Sequence, residues 1–105
     1  MPDYIIACRG GKPPATPEDG AAHKARWQSW IADLGEAAVN PGTPLGESRI
    51  VTAEAASQAD GQSAMTGFSI VAAQDLEAAV EIARACPFLD TGGTLEVAQV
   101  LAVPG

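Results

Sequence analysis

The stretch that decides the fold is Asp60-Gly-Gln-Ser-Ala-Met-Thr-Gly-Phe-Ser-Ile-Val-Ala-Ala-Gln-Asp-Leu-Glu-Ala-Ala-Val-Glu-Ile-Ala-Arg-Ala-Cys-Pro87. Asp60-Gly61 reads as a turn, because Asp bonds its own backbone and Gly takes positive φ. Gly67 to Ala72 reads as a strand. Asp75 then caps a helix, since its carboxylate can accept from N–H groups that have no partner in the first turn. The helix runs from Leu76 to about Ala85, with Leu76, Ala79, Val80 and Ala83 as its inward stripe. Pro87 ends it.

The first half has the same grammar. Asp3 to Cys8 is a strand, extensible to Arg9, with mostly apolar residues on both faces. Gly10-Gly-Lys-Pro-Pro14 closes it. Thr16 caps a second helix, Pro17 suits its first position, and Glu18 and Asp19 favour its positive dipole end. This helix extends to Leu34, with Gly35 as the left-handed stop. Trp27, Trp30, Ile31 and Leu34 make one helical stripe, and His23 starts it four residues earlier.

The connecting segments complete the order. Glu36 to Val39 is a short extended piece, and Asn40-Pro-Gly-Thr-Pro44 is a turn. Ser48 to Glu54 is a strand, and Ala55 to Ala64 a loop. Asp90-Thr-Gly-Gly93 is a turn before the last strand, Thr94 to Val103. The result is β-α-β-β-α-β, a single α+β domain over residues 1–105 of ferredoxin-like type.

Two helices cover one face of such a sheet. The first and last strands are nevertheless apolar on both faces, where a water-facing side would alternate with polar residues. A second copy packed sheet against sheet resolves the conflict and predicts a homodimer.

Thirteen acids against six bases give a formal charge of −7, with no basic run. Nucleic-acid binding needs a phosphate-neutralising patch and is not expected. No apolar run is long enough to span a bilayer. No signal peptide is evident, so a cytoplasmic protein is expected. Cys8 and Cys86, with no CxxC and no His/Cys cluster, read as buried apolar residues in a reducing compartment, not as zinc ligands.

Several segments together resemble a known family. His23-Lys-Ala-Arg-Trp-Gln-Ser-Trp-Ile-Ala-Asp-Leu-Gly35, followed by Asn40-Pro-Gly-Thr-Pro-Leu45, is similar to the first half of YCII-related proteins. Asp60-Gly61, Thr66-Gly-Phe-Ser-Ile-Val71, Ala85-Cys-Pro87 and Gly93-Thr-Leu-Glu-Val-Ala-Gln-Val100 resemble its DGPF branch. That branch's Asp-Gly-Pro-Phe is here Asp60-Gly-Gln-Ser63, and the Arg of its closing strand is replaced by Gln99 or missing. The resemblance implies a ferredoxin-like subunit of a dimeric α/β barrel. Some relatives resemble hydrolytic enzymes with a His-Asp pair in the pocket, and DGPF members often accompany sigma-factor genes.

His23, the sole histidine, is the candidate general acid/base. Its orienting carboxylate is Asp60, or Asp19 one turn before it. Asp33 is about 15 Å farther along the helix at 1.5 Å per residue and cannot pair with it. Arg9 is a candidate clamp for a carboxylate. Trp27 and Trp30 belong to the core or a dimer contact, or line a pocket wall. Each has a plainer alternative: a satisfied helix histidine, a strand-end charge, a turn aspartate. Gly10-Gly-Lys12 lacks P-loop spacing, and no serine has a nucleophile context.

Two functions follow as expectations. One is a cofactor-free enzyme acting on a small organic acid, with His23 and Asp60 catalytic and Arg9, Trp27, Trp30 and Asp19 around the ligand. The other is a homodimeric, non-catalytic ligand-sensing or interaction module, linked through the resemblance to transcription regulation. A cofactor-independent monooxygenase rests on fold analogy alone.

Overall fold

The computed structural model describes residues 1–59 and 63–102. Both helices begin at the residues whose side chains can cap them. Thr16 Oγ1 accepts from the Asp19 N–H at 3.1 Å, and Asp75 Oδ1 from the Ala78 N–H at 2.8 Å. Each satisfies a donor that the first turn leaves open. Helix α1 is Pro17–Leu34 and helix α2 is Leu76–Arg84. Gly35 ends α1 at φ 55°, a conformation glycine reaches without the Cβ penalty.

Four strands form one antiparallel sheet: β1 (Asp3–Arg9), β2 (Ala38–Pro44), β5 (Met65–Ala72) and β6 (Thr94–Gln99). Their spatial order is β2-β5-β1-β6. Two short strands, β3 (Arg49–Val51) and β4 (Ala56–Gln58), pair with each other in a separate ribbon. The sheet thus has the β-α-β-β-α-β topology expected of a ferredoxin-like subunit.

The second strand of that sheet comes from a different segment than the residues suggest. Asn40 to Pro44 lies within β2 and is not a free turn. Asn40 does bend the chain as its residue type dictates: Oδ1 accepts from the Gly42 N–H at 3.0 Å and from the Thr43 hydroxyl at 3.2 Å. Two register shifts absorb the bend, so β2 pairs with β5 before and after it. Ser48 to Glu54, expected as a main strand, contributes β3 to the ribbon instead. The expected loop after it contains β4. Strand β5 starts two residues earlier than expected, and β6 stops at Gln99. Asp60, Gly61 and Val103 lie outside the described residues.

Alternation along the strands decides which face the helices cover. Tyr4, Ile6 and Val71 join Trp30 of α1 and Ala79 and Ala83 of α2 in one buried cluster. Ala79 is fully buried, which lets α2 approach the sheet closely. Leu76, expected on the buried stripe, is 44% exposed. It is the first residue of α2, where the stripe has yet to reach the sheet. Ile5 faces Ile70 and Ala7 faces Phe68 across β1 and β5. By alternation Ile5, Ala7 and Ile70 fall on the face opposite the one that Tyr4, Ile6 and Val71 present to the helices. The molecule is only 20 Å in its shortest extent, the depth of one sheet and one helix layer.

Gly93 sits where β6 begins and the backbone of β1 comes close. A Cβ there would stand 2.8 Å from the Arg9 carbonyl oxygen and closer still to the Phe88 ring. Gly93→Ala is expected to cost about 1–3 kcal/mol, as other overpacking substitutions do. Calorimetry should show a melting point several degrees lower. Gly46→Ala, with nothing within 4 Å of the added carbon, serves as the neutral control.

Candidate functional site

A cavity of about 600 Å³ lies between α1 and the β2–β5 edge of the sheet. Helix α1 supplies His23, Lys24, Trp27, Gln28 and Ile31 to its wall. These positions recur at three and four residues, so they share one face of the helix. The sheet side comes from residues 41–44 of β2 and from Thr66, Gly67 and Phe68 of β5, with Cys8 and Phe88 completing it. The wall is largely apolar and aromatic. Its one charged side chain among the described residues is Lys24, and no carboxylate lines it. That is notable in a chain of net charge −7.

His23 is half-buried on this wall. Its Nε2 accepts a hydrogen bond from the Trp27 indole Nε1–H at 2.7 Å. An indole nitrogen can only donate, so the neutral imidazole carries its proton on Nδ1. Trp27 in turn meets Trp30 edge to face, with ring centroids 5.2 Å apart at 89°. Trp30 is buried, and its Nε1–H donates to the Ile82 carbonyl of α2 at 3.2 Å. The chain Trp30, Trp27, His23 therefore runs from the core to the cavity.

The other expected site residues lie as follows. Asp19 is exposed at the N-terminal end of α1, and neither it nor any other described carboxylate bonds to His23. Asp60 lies outside the described residues. Arg9 belongs to the β1 face that the helices leave open. It bonds Glu96 Oε1 at 3.3 Å and the Ser63 carbonyl at 3.4 Å, and is not on the cavity wall. Trp30 lies behind the wall as core. It also borders a second cavity of about 500 Å³ between α1 and residues 84–90, where Arg26 pairs with Asp90 at 3.3 Å. Asp33 lies there too.

Lys24 and Gln28 also line the wall, and the helical period carries a signal for them: Lys24 is seven residues before Ile31. Thr43, Thr66 and Phe88 come from distant segments and carry no local signal. Among the described residues, no group of histidine, cysteine and acidic side chains is arranged to hold a metal.

Both cysteines are free and buried. Burial pushes each thiol up to about 11. For Cys86, the nearby Cys8 and Asp90 charges add to this, and a backbone hydrogen bond from Phe88 opposes it.

The architecture defines a ferredoxin-like domain with a largely apolar cavity beside α1. Residues 21–103 match the YCII-related domain, so the chain belongs to that family. No curated protein matches it. In structure it is similar to the 5-chloro-2-hydroxyhydroquinone dehydrochlorinase of Burkholderia phenoliruptrix AC1100, solved in complex with 2,5-dihydroxybenzoquinone. The TM-score is 0.59 at 16% identity, covering 94% of this chain and 93% of that one. At this identity the likeness establishes the fold. No helix among the described residues is long and apolar enough to cross a membrane.

The thiols give a pH signature. Their folded values lie above the ordinary value of 9.0, so the native state keeps protons that the unfolded chain releases. Their contribution to stability is complete below pH 9 and is lost as pH rises towards 11. Urea melts should be level from pH 7 to 9 and weaken above it, less steeply in a Cys8→Ala/Cys86→Ala variant. Iodoacetamide at pH 8 should leave both thiols unmodified in the native protein.

Proposed function

We propose that the α1 cavity binds a small, largely flat organic acid or hydroxylated ring, and that the protein acts on it without a cofactor. His23 exchanges a proton with the ligand, and Lys24 holds its negative charge. The observation that carries this reading is the lining: a histidine and a lysine on an apolar, aromatic wall without a described carboxylate, in an acidic chain. Lys24 is exposed at the mouth of the cavity, where its ammonium can meet an anion that enters. Apolar pockets of this volume with a few convergent polar groups are ordinary ligand sites. The related fold is solved with a hydroxylated quinone bound, which makes phenols and quinones of that size natural first ligands. Asp60 is the candidate carboxylate for His23 in this reading, and Arg9, paired with Glu96 off the cavity wall, has no part in it.

The second reading is a binding module without catalysis. One observation favours it: Nε2 of His23, the nitrogen that could accept a proton, is already engaged by Trp27.

A thermal-shift screen of small carboxylates, phenols and quinones separates the outcomes. A ligand at ~100 times its dissociation constant stabilises by about 2.7 kcal/mol. That corresponds to a shift of roughly ten degrees or more in a domain of this size. Lys24→Ala should weaken anionic ligands more than neutral ones. His23→Ala should abolish turnover of any ligand found. Turnover unchanged in that variant would refute the catalytic role. Binding without turnover in the wild type would support the module.

The reading includes a homodimer formed through the open sheet face, where Ile5, Ala7 and Ile70 fall by alternation on the side opposite the helix-packed core. Sedimentation should give twice the chain mass. Ile70→Asp, which places a charge on that face, should give the monomer with its circular dichroism unchanged.

A further inference from the structure

We infer that Trp27 is a positioning residue that sets which proton His23 offers: it holds Nε2 and leaves Nδ1–H as the donor, so the site selects a ligand with an accepting oxygen. The inference rests on the reading of the α1 cavity as the ligand site.

Three observations carry it. The first is direction. The Trp27 indole nitrogen can only donate, so at 2.7 Å the Nε2 of His23 must accept. The second is rigidity. Trp27 is packed edge to face on Trp30, and Trp30 is buried with its own N–H fixed to the Ile82 carbonyl of the other helix. The indole that sets the tautomer is therefore oriented by the core and does not depend on the ligand. The third is the company His23 keeps. The charged group beside it on the wall is Lys24, which is also a pure donor, and no described carboxylate lines the cavity. A carbonyl oxygen, phenolate or carboxylate can accept from both. An ammonium or an amide N–H finds no matching partner in either.

This gives proton exchange at the site an order. With Nε2 covered, His23 meets the ligand as a neutral hydrogen-bond donor, polarising a carbonyl or holding an oxyanion. Neutral imidazole in this role is a known way to stabilise charge that develops on oxygen. To act as a base, the ring must first release the Trp27 indole.

The chain has a single histidine, so its tautomer can be read directly. Long-range proton–nitrogen correlation on the ¹⁵N-labelled protein at pH 8 should show a protonated Nδ1 and an unprotonated Nε2. Trp27→Phe keeps the ring and removes its N–H. It should shift His23 towards the Nε2–H form while the Trp30 indole signal stays in place. A wild-type Nε2–H tautomer, or a variant with no change, would overturn the inference. If Trp27→Phe does not fold, the wild-type spectrum alone decides. Benzoate and benzylamine then separate this inference from the ligand-site reading. Benzoate should bind, about tenfold more weakly in Trp27→Phe, and benzylamine should not. Preference for benzylamine would overturn the selectivity. The expected tautomer with no oxygen ligand found by the wider screen would leave the positioning role standing and count against the ligand site.

Discussion

The structure depends on where Trp30 is put. It is the large side chain of α1 that reaches the core, wedged between α1, α2 and the Tyr4–Ile6 face of β1. An indole brings a polar N–H with it, and burial without a partner would be costly. The Ile82 carbonyl supplies that partner. One residue thus buries a large apolar surface, ties the two helices together and fixes the plane against which Trp27 packs.

The two helices meet the sheet differently because their inward residues differ in size. Helix α2 presents Ala79 and Ala83, both buried, and lies close to the strands. Helix α1 presents Trp30 to the core and Trp27 over Gly42 of the edge strand β2. Large groups on the helix against little on the strand leave space at the His23 end, and that space is the cavity. The indole that lines this cavity also holds the one histidine on its wall, and the indole behind it packs against the first. Packing and site chemistry here are one arrangement of side chains.

Charge organises the site by exclusion. The acids outnumber the bases, yet the described wall of the cavity holds Lys24 and no acid. Arg9, the cation that strand position made attractive, lies on the other face and is occupied by Glu96. Alternation along β1 sends Arg9 to the Ile5 and Ala7 side, and Cys8 to the helix side.

The sequence by itself determined both helices, their caps, the Gly35 stop and the core of β1 and β5, because capping and periodicity act between residues a few positions apart. It also determined the ferredoxin-like order and the family. It misplaced the second strand: Asn40 to Pro44 has strong turn chemistry, and only pairing with β5 shows that a bulged strand can contain that turn. The ribbon of β3 and β4 was misread for the same reason, since β propensity does not say which sheet a strand joins. His23 and Trp27 were legible as neighbours on one helix face. Only the tertiary structure decided that Trp27 is the partner of His23, that Lys24 lines the cavity and that Arg9 does not. The first two depend on how α1 packs against β2 and β5, strands remote from it in sequence; Arg9 is excluded because the helices cover the other face of β1.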